Sequence, residues 1–107
     1  MVKREEKIIL PTMKVEAKDD NDVSFQEVQG TIVIIKDVET KFGTKILMTL
    51  NNKKLGDFNV FVNNVSIGKL IKAYSDDDEA WIGKIVDLKK EQDTKFNKDM
   101  IVIYPVN

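Results

Sequence analysis

The chain contains no cysteine and no histidine. These two absences remove disulfide staples, thiolate nucleophiles, imidazole bases and nearly every structural zinc arrangement. Any catalysis would have to fall to carboxylates or lysines. Proline occurs only twice and glycine five times in 107 residues, while hydrophobic residues make up 42% and charged residues 33%. Those proportions belong to a chain that buries a core and not to a disordered one. No run approaches the about 18 consecutive apolar residues of a membrane span, and the opening Met1–Lys7 is charged where a secretory leader is apolar. No membrane partner is expected. Cytoplasmic residence is the plain expectation, although a heat-adapted chain also avoids cysteine. The length suits one hydrophobic core and no second independent unit.

Lysine and arginine number 17 against 18 aspartates and glutamates, a net charge of −1. A strongly basic chain would be the simpler case for binding nucleic acid, because phosphates are held by lysine and arginine with release of counterions. The charges are unevenly distributed, however. Lys36, Lys41, Lys45, Lys53 and Lys54 face only Asp37 and Glu39 in the same stretch, whereas Asp19–Asp22 and Asp76–Glu79 are acidic clusters. Such segregation is what a local basic groove requires. The Asp76–Glu79 run lacks the convergent spacing, the turn glycine and the late bidentate glutamate of a calcium loop, so it reads as a solvated loop. Neither metal nor cofactor is expected. With no glycine-rich phosphate loop and no nucleophile–base pair, an enzyme is not expected either. A magnesium-dependent hydrolase resting on those carboxylates is the form an enzymatic activity would take.

Residues 1–27 carry little periodicity and read as an N-terminal arm, either partly mobile or contributing an edge strand. Residues 28–107 form the expected domain. Its first β-rich run, Thr31–Val38, is preceded by Gly30, which predicts a bulge or a sharp coil of the strand. In Lys45–Leu50, Ile46, Met48 and Leu50 share one face and Lys45, Leu47 and Thr49 the other. Phe58–Asn63 alternates cleanly: with Phe58, Val60 and Val62 turned inward, Phe61 stands outside between Asn59 and Asn63. An exposed ring flanked by amides suits base stacking, since the ring takes a base face and the amides reach base edges or sugars. Packing beneath the arm, or a dimer contact, is the alternative role for Phe61. Ile67, Leu70, Ile71 and Tyr74 then form a helical stripe with Asn64 or Ser66 as N-cap. Trp81, expected to be half-buried, precedes the run Ile85–Lys89. The last run, Met100–Tyr104, follows the loop Gln92–Asp99.

Two turns pair a lysine with an aromatic: Lys41-Phe42-Gly43 and Lys95-Phe96-Asn97, the second reinforced by Lys98. The order β-β-β-α-β-β, the Thr40-Lys41-Phe42-Gly43 turn and the Trp81-Ile82-Gly83-Lys84 segment resemble the small oligonucleotide-binding (OB) fold single-stranded DNA-binding proteins of archaeal, viral or phage type, over roughly residues 28–105. The resemblance implies an all-β, five-stranded Greek-key barrel with one short helix closing its bottom. It also implies binding through the second and third strands and through the loops after the first and fourth, hence Lys41, Phe42, Lys45, Phe61, Lys95 and Phe96. The residues themselves add Asn59, Asn63 and Lys98. The expected partner is single-stranded DNA, or RNA, held with little sequence preference. The other reading is a protein-interaction or structural OB module, a homodimer or a component of a replication or virion assembly.

Overall fold

A computed structural model describes residues 10–41, 43–95 and 97–106. It contains seven strands, β1 (Thr12–Lys14), β2 (Asp22–Ser24), β3 (Gln29–Thr40), β4 (Gly43–Asn52), β5 (Gly56–Val62), β6 (Ile85–Asp93) and β7 (Lys98–Pro105). One helix, α1 (Asn64–Ala73), and a 3-10 turn, Asp78–Trp81, lie between β5 and β6. All seven strands join one mixed sheet in the order β2-β1-β5-β4-β3-β6-β7. The five long strands and the helix fall where the hydrophobic periods place them. The two additional strands arise from the N-terminal segment and pair in parallel, β1 with β5 and β2 with β1. Met13 of β1 is 1% exposed and belongs to the core.

β3 shapes the sheet because it serves two neighbours in succession. Its start pairs with β6 from Gln29 to Thr31, and from Thr31 out to Thr40 it pairs with β4. The register slips between Ile32 and Ile34, so Val33 is the extra residue of a bulge, which bends a strand and sharpens its twist. The bulge lies beyond Gly30, whose role differs from the expected one. A Cβ built on Gly30 would stand 2.9 Å from the Leu50 Cβ; the missing side chain lets β3 close onto β4. Gly30→Ala is expected to lose about 1–3 kcal/mol through overpacking, read as a lower urea midpoint at unchanged slope. An unchanged midpoint would show that the strands separate freely there.

The core collects Ile32, Met48, Leu50, Phe58, Val60, Leu70, Val86, Leu88 and Ile103 from one face of the sheet and from the helix. Trp81 joins it at 3% exposure, more deeply than a half-buried residue, because its indole Nε1–H donates to the Ser75 carbonyl at 2.9 Å and leaves no polar atom that needs water. The helix presents Ser66 and Leu70 as its buried residues, with Ile67 and Tyr74 half-buried, while Ile71 is 42% exposed. The N-cap is Asn63 and neither Asn64 nor Ser66: the Asn63 Oδ1 accepts the Ser66 backbone N–H at 2.9 Å.

The β1–β2 corner is held by Asp22. Its carboxylate accepts the backbone N–H groups of Lys18 and Asp19 at 3.1 and 3.0 Å and lies 3.5 Å from the Lys14 ammonium. The Lys18 amide first, then the Asp19 amide and the Lys14 charge, hold this carboxyl below its ordinary range despite partial desolvation. A depressed folded-state value favours the ionised form. The stabilisation is therefore present above the ordinary aspartate range and is lost as pH falls through the folded value. A carbon-detected NMR titration is expected to place the Asp22 midpoint below the ordinary aspartate range; a midpoint within or above that range contradicts the arrangement.

Candidate nucleic-acid interface

Side chains directly opposite one another in neighbouring strands share a face, so the register of β3, β4 and β5 defines the outer surface row by row. Thr31, Asn51 and Asp57 form the first row, and Ile34, Thr49 and Asn59 the second. Lys36, Leu47 and Phe61 form the third, and Val38 faces Lys45 in the last. The face thus grades from a polar end, where Asn51 donates to the Asp57 carboxylate at 2.6 Å, to a basic and apolar end. Phe61 is 37% exposed and stands in the third row. Because Met13 pairs with Val60, the next residue of β1, Lys14, extends that row beyond Phe61.

The pleat also separates the charges of the β3–β4 hairpin. Lys36 lies opposite Leu47 and Lys45 opposite Val38, on the outer face, whereas Asp37 lies opposite Ile46 and Glu39 opposite Thr44, on the other face. Glu39 accepts the Thr44 hydroxyl there at 2.8 Å. Four charges that cancel in sequence therefore become a basic face and an acidic one, because successive side chains of a strand point to opposite sides.

The two amides beside Phe61 are engaged within the protein. The Asn59 Oδ1 accepts the Thr49 hydroxyl at 2.6 Å. Asn63 caps α1 with its oxygen and donates from Nδ2 to the Ile101 carbonyl of β7 at 2.8 Å. Ser66, 0% exposed, accepts the Ile103 backbone N–H at 2.9 Å. Two outward backbone groups of β7 are thus satisfied by side chains from the start of the helix instead of by another strand, which blunts part of an edge that would otherwise be reactive.

That clamp also governs where the two basic turns sit. Ile101 lies a few residues after the β6–β7 turn, while Asn63 follows β5, whose last residue, Val62, pairs with Ile46 at the foot of the β3–β4 turn. The roots of both turns therefore meet at Asn63. A shallow cleft of about 200 Å³ opens at this junction, lined by Lys45, Phe61, Asn63 and Ile101 together with Met13 and Val62.

Lys41 is exposed at the tip of the β3–β4 turn, Lys95 is exposed in the β6–β7 turn, and Lys98 is exposed at the start of β7. The second turn is built by Asp93, whose carboxylate accepts the Lys95 N–H at 2.9 Å, and by Asn97 at φ 51, a left-handed conformation that asparagine tolerates. Phe42 and Phe96 lie outside the described residues. Lys36, noted in the sequence only as part of a basic stretch, and Lys14 join the Phe61 row without having been named as site residues; the β3 register with its Val33 bulge places the first and the β1–β5 pairing the second. Asp77 of the acidic run caps the 3-10 turn through the Glu79 N–H at 3.0 Å. Among the described residues no group of three or more acidic side chains is placed to hold a metal ion, and no helix is long and apolar enough to cross a membrane.

No family model, curated protein or solved structure matches the chain.

Proposed function

We propose that the chain is an OB-type module that binds single-stranded nucleic acid, DNA in preference to RNA, across the outer face of β3, β4 and β5, and makes or breaks no bond. The observation that carries this reading is the row Lys36–Leu47–Phe61, an exposed ring in line with an ammonium group and one row from Lys45. Bases stack on the ring and the lysines follow the phosphates. The strand order β5-β4-β3-β6-β7 supports the barrel reading: it is the order of a five-stranded OB barrel opened between its third and fifth strands, and Asn63 bridges those two strands here. The acidic pI near 5.5 is compatible with this role because the pleat places Asp37 and Glu39 away from the binding face.

Fluorescence anisotropy with a labelled oligothymidine at two or more salt concentrations tests the proposal. Micromolar or tighter binding that weakens steeply with salt is expected. Lys36→Gln and Lys45→Gln should each lower the slope of log affinity against log salt by about 0.7–1, the contribution of one phosphate contact, with little dependence on base sequence. No binding at low salt and micromolar protein would sink the proposal, and an unchanged slope in both variants would move the contact off this face.

A further inference from the structure

The exposed side of α1 carries a second feature, independent of the Phe61 face. Val65 and Ile71 are 45% and 42% exposed and flank Gly68, on which an added Cβ would meet nothing within 4 Å. They line an open groove together with Lys69 and Lys72. The groove continues past Lys69, Lys72 and Ala73 onto Tyr104 and Pro105 at the end of β7. Among the described residues no acidic side chain lines either part, and the helix contains none over its whole length. A third lysine, Lys84, extends the basic rim at the helix C-terminus: its ammonium lies 5.6 Å from the centre of the Tyr74 ring, and the Tyr74 hydroxyl donates to the Ile85 carbonyl.

An apolar floor edged by charges of one sign selects an occupant that is apolar on one side and carries the opposite charge at its margins. Nucleic acid would supply the charge but not the match to the floor. The floor is aliphatic, and the two nearby rings already carry ammonium groups, Lys69 over Tyr104 at 4.6 Å and Lys84 over Tyr74. A peptide supplies both. We infer that the exposed face of α1 with the end of β7 is a docking surface for an acidic amphipathic peptide segment of a partner protein. Its apolar residues would seat over Gly68 between Val65 and Ile71, and its carboxylates would meet Lys69, Lys72 and Lys84. The groove runs along a helix of ten residues, about 15 Å, enough to receive two or three turns of a helical segment.

The full chain would be titrated with a fluorescein-labelled 16-residue peptide carrying leucine at helical spacing and glutamate elsewhere, with binding read by anisotropy and mapped by amide shifts. Micromolar binding is expected, with shifts confined to α1, the Lys84 region and Tyr104–Val106. The pair Lys69→Glu with Lys72→Glu, and separately Ile71→Ser, should each weaken it at least tenfold. These side chains lie at the surface, and an unchanged far-ultraviolet spectrum would confirm that the variants fold. Phe61→Ala should leave peptide binding unchanged, which separates this surface from the proposed oligonucleotide face. Absence of α1 shifts at millimolar peptide would overturn the inference. So would equal binding of a lysine-for-glutamate control peptide. Oligonucleotide affinity lost in the lysine pair but kept in Phe61→Ala would reassign the groove to nucleic acid, and concentration-dependent self-association abolished by Ile71→Ser would reassign it to a second copy of the chain.

Discussion

Asn63→Ala is expected to lower the unfolding free energy by about 2–4 kcal/mol, more than a typical polar substitution at a half-buried position. Two losses combine. Removing an asparagine N-cap from a helix costs about 0.5–2 kcal/mol, and withdrawing the donor from the Ile101 carbonyl leaves a partly buried acceptor unpaired, at about 1–3 kcal/mol. Both bonds run from one amide, Oδ1 to the Ser66 N–H and Nδ2 to Ile101, so the variant releases the helix start and β7 together. Thermal unfolding should move down by roughly 10–20 °C. Asn63→Asp separates the two terms, since it keeps the capping oxygen and loses the donor to β7. It should recover the cap and not the seam. A change below about 0.5 kcal/mol in the alanine variant would mean that the junction is held by apolar packing and that Asn63 is available to a ligand after all.

Phe61→Ala is expected to weaken oligonucleotide binding by about 10- to 100-fold, the worth of one stacked base, with little effect on stability. Those two responses distinguish a stacking platform from a core residue: truncating a buried phenylalanine costs about 3–5 kcal/mol of folding energy, whereas this ring is 37% exposed and its strand neighbours Val60 and Val62 carry the burial. Phe61→Trp should retain binding, because the aromatic face is preserved. A stability loss of several kcal/mol without loss of binding would return Phe61 to the interior and leave the basic turns alone to account for any affinity. Asn63→Ala offers a further comparison. Once its lower stability is allowed for, its oligonucleotide affinity should fall only to the extent that the two turns drift apart.

The alternation of Phe58–Asn63 and of Lys45–Leu50 was readable because the faces of a single strand depend on a local period of two. In β5 the buried set Phe58, Val60 and Val62 and the outward Phe61 follow directly from it. The helix over Asn64–Ala73 was readable for the same kind of reason, a stripe of period 3.6. Its cap was not, since Asn63, Asn64 and Ser66 all have capping chemistry. Asn63 takes the position because its other end reaches β7, a partner 38 residues away in sequence.

An edge strand within residues 1–27 is one of two readings of that segment, but the positions of β1 and β2 are not legible, because three residues are too few to display a period and their pairing is parallel and depends on β5 being in place. The Val33 bulge is equally invisible in sequence. Ile32, Ile34 and Lys36 look like successive residues of one face, and only the extra residue Val33 in the pairing with β4 sends Ile32 inward and Ile34 and Lys36 outward. By itself the sequence determined the five long strands and the helix, that Phe61 points away from the core, and that no cysteine or histidine chemistry is available. Tertiary structure alone decided that Lys36 stands in line with Phe61, that the asparagines beside that ring are committed to the fold, and that the roots of two turns about fifty residues apart meet at one junction. Register and edge satisfaction are properties of pairs of distant segments, and no local period encodes them.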